Sequence, residues 1–165
     1  VGHTAAGRPH FVGADDRGLS ISHADPLCLM ITGPAEVGCD LARVEARSSE
    51  DWRGLLGDKG FALLTALGTV PMDQAGTHLW AADEALRKGP HPVPSIERLE
   101  VLQAEGTFAI FRPQGVTSCL AVTSLVSLPG LGDHVMAIAF GVADEAARTA
   151  PKSRGKATAR PRTRS

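Results

Sequence analysis

Three residues in one short segment have the types and the spacing for phosphate chemistry. Trp80, Glu84 and Lys88 are four positions apart, so on a helix they share one stripe. Asp40 stands in an otherwise apolar segment, where an acid is costly unless it is paired or binds a metal. If Asp40 lies beside that stripe, two carboxylates and a lysine come together. Such a cluster suits a Mg²⁺ ion that bridges to phosphate oxygens, with the lysine neutralising further charge.

The hydrophobic pattern predicts the elements that would bring these residues together. Apolar segments between turn residues predict strands at 19–22, 27–32, 36–44, 96–102, 107–111, 119–128 and 134–142. Helical spacing predicts helices over 48–56, 58–67 and 73–88, with Ser48 or Ser49 capping the first and Asp73 the third. The segment 3–17, rich in Gly, Pro and charge, predicts a loop. We therefore expect an α+β fold in which antiparallel strands flank a helical middle section.

The composition is typical of a globular domain. The 165 residues are 43% hydrophobic and 21% charged, and no apolar run approaches the roughly 18 residues that cross a bilayer. The three cysteines have no paired spacing, which disfavours a disulfide framework or a zinc site. We therefore expect Cys28, Cys39 and Cys119 to be small buried hydrophobic residues in a reducing, cytoplasmic protein.

The C-terminal segment differs from the rest of the chain. Residues 148–165 contain seven Lys or Arg, no acid and no large apolar side chain. Such a segment cannot bury enough surface to offset its ordering entropy, so it predicts a disordered basic tail after a domain at 1–147. Because the tail has no aromatic residue to stack on bases, nucleic-acid binding is disfavoured.

Four short motifs, in their order along the chain, resemble the signature of the 4′-phosphopantetheinyl transferases. Gly7-Arg8-Pro9 is similar to the Gly-Lys-Pro of that family, and Ser20-Ile21-Ser22-His23 to its Ser-x-Ser-His. Val37-Gly38-Cys39-Asp40-Leu41 resembles the strand Val-Gly-Ile-Asp-Ile. The segment from Trp80 to Lys88 resembles the helix Trp-x-x-Lys-Glu-Ala-x-x-Lys, except at Asp83. The resemblance covers residues 7 to 88 and is to the surfactin-type group.

The resemblance implies an enzyme that moves 4′-phosphopantetheine from coenzyme A to a serine of an acyl carrier protein. It implies that coenzyme A is bound by Arg8, Ser22, His23 and Lys88. It implies that Mg²⁺ is bound by Asp40 and Glu84, and that the catalytic residues are Glu84, which helps to deprotonate the carrier serine, and Lys88. More loosely, the segment at 52–57 and the Trp80 helix look like transferase domains fused to the C-terminus of iterative polyketide synthases, including the enediyne type.

Two departures from the family pattern leave a second interpretation open. Ala42 stands where family members commonly carry a second acid, on the same strand face as Asp40. Asp83 replaces a lysine, which removes a cation from the phosphate side and adds an anion there. The alternative is therefore a catalytically degenerate docking module of a multidomain synthase. Glu84 and Lys88 could also form an ordinary helical salt bridge.

The start of the chain bears on its expected partners. Two-lobed members of the surfactin-type group have a similar unit before the Gly-Lys-Pro motif, whereas single-lobed relatives form trimers. This chain begins at Val1, close to that motif, so we expect part of a longer polypeptide. We expect it to pair with an upstream lobe or to form a homo-oligomer.

Overall fold

The computed structural model describes residues 1–3, 7, 9–13, 17–33, 37–68, 70–89 and 96–142. Arg8 and the basic tail predicted at 148–165 lie outside these residues. Among the described residues the strands and helices are β1 Gly2–His3, β2 Pro9–His10, β3 Gly18–Ala24, β4 Leu27–Gly33, β5 Val37–Arg43, α1 Ser49–Leu63, α2 Met72–Arg87, β6 Leu99–Glu105, β7 Phe108–Pro113, β8 Cys119–Leu128 and β9 Gly132–Gly141. Short 3₁₀ turns follow α1 and precede β6.

The described residues form antiparallel sheets and two helices, which confirms the α+β class. In the described part of the chain the main sheet has the order β5-β9-β8-β7-β6, and β3 pairs with β4 in a separate hairpin. β5, the strand that carries Asp40, pairs with β9 near the end of the chain rather than with β4. β5 is thus the edge strand of the main sheet, and the β3–β4 hairpin packs beside it.

The core lies between α2 and the main sheet. The buried face of α2 contains the predicted apolar positions Ala75, Leu79, Ala82 and Leu86. Small residues on the sheet let the helix approach closely, and they are Ala109, Ala121, Ala137 and Ala139.

The same core contains a buried polar pair. His78 of α2 and Thr123 of β8 form a hydrogen bond of 2.7 Å between Nδ1 and Oγ1, and both side chains are buried. Burial lowers the pKa of His78 to about 4, so the imidazole is neutral at physiological pH. Sequence periodicity did not identify this pair.

The helical middle section differs from the prediction at two places. The two helices predicted over 48–56 and 58–67 are the two halves of α1 and its 3₁₀ extension. They are separated by a kink at Gly57, whose φ is +70°. Of the two serines predicted as caps, Ser48 and Ser49, it is Ser48 that caps α1, and it forms a capping box with Asp51. Asp73 does not cap α2, because the helix begins one residue earlier, at Met72 after Pro71.

The described residues show three further outcomes. Two short strands, β1 and β2, pair within the predicted N-terminal loop. Cys39 and Cys119 are buried as predicted, whereas the prediction for Cys28 is wrong because its position on β4 leaves it exposed. No helix in the described ranges is both long and apolar enough to cross a membrane.

Candidate functional site

Three residues from distant segments meet where β3, β5 and the end of α2 come together. The Lys88 ammonium donates to Oδ1 of Asp40 at 2.7 Å, across 48 positions of sequence. The Ser22 hydroxyl donates to the same oxygen at 2.8 Å, and Lys88 Nζ also lies 3.4 Å from Ser22 Oγ. Asp40 is thereby paired and hydrogen-bonded although only 10% of its side chain is exposed. The sequence-based argument that this buried acid needs a partner is therefore correct.

Gly38 allows α2 to approach Asp40 this closely. A Cβ atom at position 38 would overlap the Ala85 carbonyl oxygen and would lie 2.6 Å from the Gly89 nitrogen. The absence of a side chain therefore lets the end of α2 rest on the backbone of β5. Lys88, the C-cap residue of α2, then reaches Asp40 two residues further along the strand. The glycine of the Val-Gly-x-Asp motif thus has a packing role in this fold.

The β3–β4 hairpin is attached to the edge of β5 through serine hydroxyls. Ser20 Oγ accepts a hydrogen bond from the Cys39 nitrogen at 2.9 Å. Ser22 Oγ accepts one from the Leu41 nitrogen at 3.2 Å. Ser20 and Ser22 lie on one face of β3, since side chains two residues apart on a strand point the same way. Their hydroxyls take the place of a neighbouring strand's carbonyls and satisfy backbone donors at the sheet edge.

A cavity of about 440 Å³ opens next to this cluster. It is bounded by the ends of β3 and β5, the loop after β5, α1 and α2, and it contains both apolar and charged side chains. The residues from the motifs that line it are His23, Leu41, Ala42 and Trp80. Ala42, at the position of the missing second acid, is half-buried: it packs against the core and also lines this cavity.

One wall of the cavity is fixed by contacts that sequence analysis did not predict. Asp73 accepts hydrogen bonds at Oδ1 from the Trp52 indole at 2.8 Å and from the Arg47 backbone nitrogen at 3.0 Å. The Arg47 guanidinium lies 5.5 Å from the centre of the Trp52 ring, within the range of a cation–π contact. The aspartate expected to cap α2 therefore ties α1 and the loop after β5 to α2.

Glu84 lies on α2 between Trp80 and Lys88 along the predicted stripe. Its side chain is 28% exposed, and Oε1 lies 3.9 Å from Nε of Arg87. The neighbouring Asp83 is only 1% exposed and pairs with Arg87 at 2.7 Å. The expectation that Asp83 adds an anion to the phosphate side is wrong, because its carboxylate is buried and neutralised by Arg87.

The predicted site residues thus fall into three groups. Ser22, Asp40 and Lys88 form a bonded cluster, His23 lines the adjacent cavity, and Glu84 lies one helical turn before Lys88. Arg8 lies outside the described residues. Lys88 is engaged by Asp40, so the description of Lys88 as an ordinary helical partner of Glu84 is incomplete.

The two carboxylates assigned to Mg²⁺, Asp40 and Glu84, are of the chemical type that this ion takes. Among the described residues, no group of three or more His, Cys, Asp or Glu side chains converges in a way that could hold a metal. Mg²⁺ commonly takes only one or two protein carboxylates and fills its octahedron with waters and substrate phosphates. Asp40 and Glu84 supply that number of hard oxygen donors, and both described contacts of Asp40 fall on Oδ1. The chemical type of these donors is therefore compatible with an ion that takes most of its ligands from water and phosphate.

Comparison with known proteins adds no assignment. No model of a known protein family matches the chain, and no curated protein matches it.

Proposed function

We propose that this chain transfers 4′-phosphopantetheine from coenzyme A to a serine of an acyl carrier protein domain, in a Mg²⁺-dependent reaction. The observation that supports this most is the meeting of Ser22, Asp40 and Lys88 beside a cavity lined by His23. These residues come from three of the four motifs that resemble the transferase family. Motifs that matched by chance would have no reason to converge on one site.

The proposed chemistry needs positioning and charge neutralisation more than covalent help. Asp40 and Glu84 would hold Mg²⁺, which when bound supplies positive charge to the pyrophosphate of coenzyme A. Lys88 would then contact a phosphate oxygen, so its ammonium would exchange its Asp40 partner for the ligand. Glu84, the most accessible of the acids near this end of α2, would help to remove the proton of the carrier serine.

The cavity supports coenzyme A as the substrate. Its volume of about 440 Å³ lies in the range of ligand pockets, roughly 300–1,000 Å³. His23, Arg43 and Arg47 offer positive or hydrogen-bonding groups for phosphates, while Leu55 and Trp80 offer apolar surface for an extended arm. The lining also contains the carboxylates of Asp25 and Glu45, the second paired with Arg47, so the anionic end of such a ligand would lie beside His23 and Arg43.

The remaining features of the proposal concern the setting of the enzyme. The fold would be a transferase-like lobe, completed by an upstream lobe or by another copy of the chain. Its partners would be coenzyme A and an acyl carrier domain, with a cytoplasmic location where both substrates occur. The proposal also includes that the chain is a transferase domain at the C-terminus of an iterative polyketide synthase.

A second candidate function is a docking module that lacks catalysis. It is favoured by Ala42, which lines the cavity without offering a carboxylate. It is also favoured by the ion pair between Asp40 and Lys88, since the acid already has a cationic partner. Such a module would bind a carrier domain without modifying it.

The deciding experiment is an intact-mass assay on an apo acyl carrier domain. The carrier is incubated with coenzyme A, Mg²⁺ and the chain, either wild type or Asp40→Asn, which keeps an acceptor for Ser22. Asp58→Asn is the matched control, because Asp58 is an exposed carboxylate on α1. We expect the phosphopantetheine increment with wild type and Asp58→Asn only.

The assay is repeated with the chain joined to an upstream lobe or concentrated to favour self-association. An unmodified carrier in every arm, together with binding of the carrier to the chain, would support the docking module. Equal modification by Asp40→Asn would remove Asp40 from the site.

A further inference from the structure

The hydroxyl of Ser22 uses all of its hydrogen-bonding capacity within the protein. A serine hydroxyl has one hydrogen to donate and two lone pairs that accept. Its hydrogen goes to Asp40 Oδ1 at 2.8 Å. Its lone pairs face the Leu41 nitrogen at 3.2 Å and Lys88 Nζ at 3.4 Å. The side chain is also buried, with 5% of the residue exposed.

We infer that Ser22 is a positioning residue for Asp40 and makes no contact with coenzyme A. This inference rests on the proposed function and corrects the role implied for Ser22 by the family resemblance. A phosphate oxygen can only accept hydrogen bonds, and the single hydrogen of Ser22 is already donated to Asp40. To serve coenzyme A, Ser22 would have to abandon a buried carboxylate, which is costly.

The consequence for the site is a fixed orientation of Asp40. Ser22 and Lys88 both donate to Oδ1, so they approach the carboxylate at the same oxygen and oppose its rotation. When Lys88 turns to a phosphate, Ser22 remains as the donor that holds Oδ1. Residues that orient a metal-binding carboxylate in this way typically change metal affinity by about 10–100-fold when removed. Ser22 therefore acts on the ion through Asp40.

The chain offers a matched control for this role in Ser20. Ser20 lies two residues earlier on β3, is equally buried, and accepts a backbone hydrogen bond from β5 as Ser22 does. Its described contact is with Cys39 and not with Asp40. Ser20→Ala removes one attachment of the hairpin, whereas Ser22→Ala removes an attachment and the Asp40 contact. The difference between the two variants isolates the contact.

The test measures binding of the two ligands separately, without relying on turnover. Mn²⁺ is titrated by electron paramagnetic resonance with and without coenzyme A, and coenzyme A is titrated by calorimetry at saturating Mg²⁺. We expect Ser22→Ala to raise the Mn²⁺ Kd about 10–100-fold and to change the coenzyme A Kd less than about twofold. Ser20→Ala should change both by less than about twofold.

Three results would overturn the inference. The first is a higher coenzyme A Kd for Ser22→Ala at saturating Mg²⁺ with an unchanged Mn²⁺ Kd, which indicates direct contact. The second is equal effects of Ser20→Ala and Ser22→Ala, which indicate hairpin attachment alone. The third is no effect on either ligand.

Failure of the proposed function gives a different result. A wild-type chain that binds no coenzyme A at any Mg²⁺ concentration, whether alone, concentrated to favour self-association or joined to an upstream lobe, contradicts the transferase proposal. The coupling between Ser22 and Asp40 is then judged from urea unfolding of Ser22→Ala, Asp40→Asn and the double variant. Non-additive midpoint shifts support the positioning role, and additive shifts overturn it.

Discussion

Asp83 and Arg87 form an ion pair that is buried at one end and exposed at the other. Asp83 is 1% exposed, while half of the Arg87 side chain is accessible. Burial raises the pKa of Asp83, and the nearby Arg87 guanidinium opposes that rise. The pair orients Arg87 so that its guanidinium lies 3.9 Å from Glu84. Glu84 therefore has a cationic neighbour on its own helix.

Glu84 gives the first prediction at the residue scale. Glu84→Gln keeps the size of the side chain but removes the carboxylate that would hold Mg²⁺ and accept the serine proton. We expect carrier modification to slow by at least about 100-fold, the usual scale for loss of a general base. The free energy of unfolding should change by less than about 1 kcal/mol, because the contact with Arg87 is long and partly exposed.

The measurement is the rate of carrier modification by intact mass, beside urea unfolding of each protein. Glu50→Gln, an exposed acid in the first turn of α1, is the control and should keep the wild-type rate. Undiminished transfer by Glu84→Gln would exclude Glu84 from the reaction.

At the scale of elements, the contact between β5 and the end of α2 determines whether the cluster forms. Gly38→Ala places a methyl group against the Ala85 carbonyl and the Gly89 backbone, neither of which can move as a flexible side chain would. We expect a loss of stability of about 1–3 kcal/mol, typical of overpacking. Because the end of α2 must shift, the Mn²⁺ Kd should rise as well.

Gly54→Ala is the matched control for that variant. Gly54 lies in α1, and a methyl group added there would meet no atom within 4 Å, so alanine fits without a clash. Alanine in a helix is about 1 kcal/mol more favourable than glycine, so this variant should be slightly stabilised. Urea unfolding decides the matter. Equal stability of Gly38→Ala and wild type would mean that β5 and α2 are not held as closely as described.

The elements that sequence analysis predicted well are those set by local rules. A serine cap at 48 or 49 and the apolar face of α2 depend on residues within a few positions of each other. The structure shows the cap at Ser48 and confirms the apolar face. The pairing of β5 with β9 joins strands almost a hundred residues apart, and no local pattern specifies it. The hydroxyl attachment of β3 to β5 was missed for the same reason.

At the scale of the whole molecule, the candidate site could be predicted only in part. Asp40 was singled out correctly because an acid in an apolar strand needs a partner, and Lys88 proves to be that partner. The burial of Asp83 was not foreseen, because its exposure depends on how α2 is rotated against the sheet. Only the tertiary structure shows that Oδ1 is the oxygen of Asp40 that accepts hydrogen bonds. Only the tertiary structure shows that the Ser22 hydroxyl uses all of its hydrogen-bonding capacity within the protein.

The stability of the whole molecule should depend on pH through His78. Burial lowers the pKa of His78 from 6.5 to about 4, so the unfolded chain binds a proton more readily than the folded one. Well above pH 6.5, His78 is neutral in both states and does not affect the free energy of unfolding. As the pH decreases from about 6.5 toward 4, His78 is protonated in the unfolded chain only, and the free energy of unfolding falls. Between about pH 7.5 and pH 5 we expect His78 alone to remove about 2 kcal/mol.

The comparison with His78→Gln isolates this contribution from other titrating groups. Glutamine keeps a polar partner for Thr123 but carries no titrating group. Asp83 acts in the opposite sense, because a carboxyl with a raised pKa in the folded state favours folding as the pH decreases. This contribution is the same in wild type and in His78→Gln, so it cancels in the comparison. The free energy of unfolding is measured by urea titration near pH 7.5 and near pH 5. Its decrease between these pH values should be about 2 kcal/mol larger for wild type than for His78→Gln. An equal decrease in the two proteins would show that His78 titrates normally and is accessible to water. It would contradict the close packing of α2 on β8.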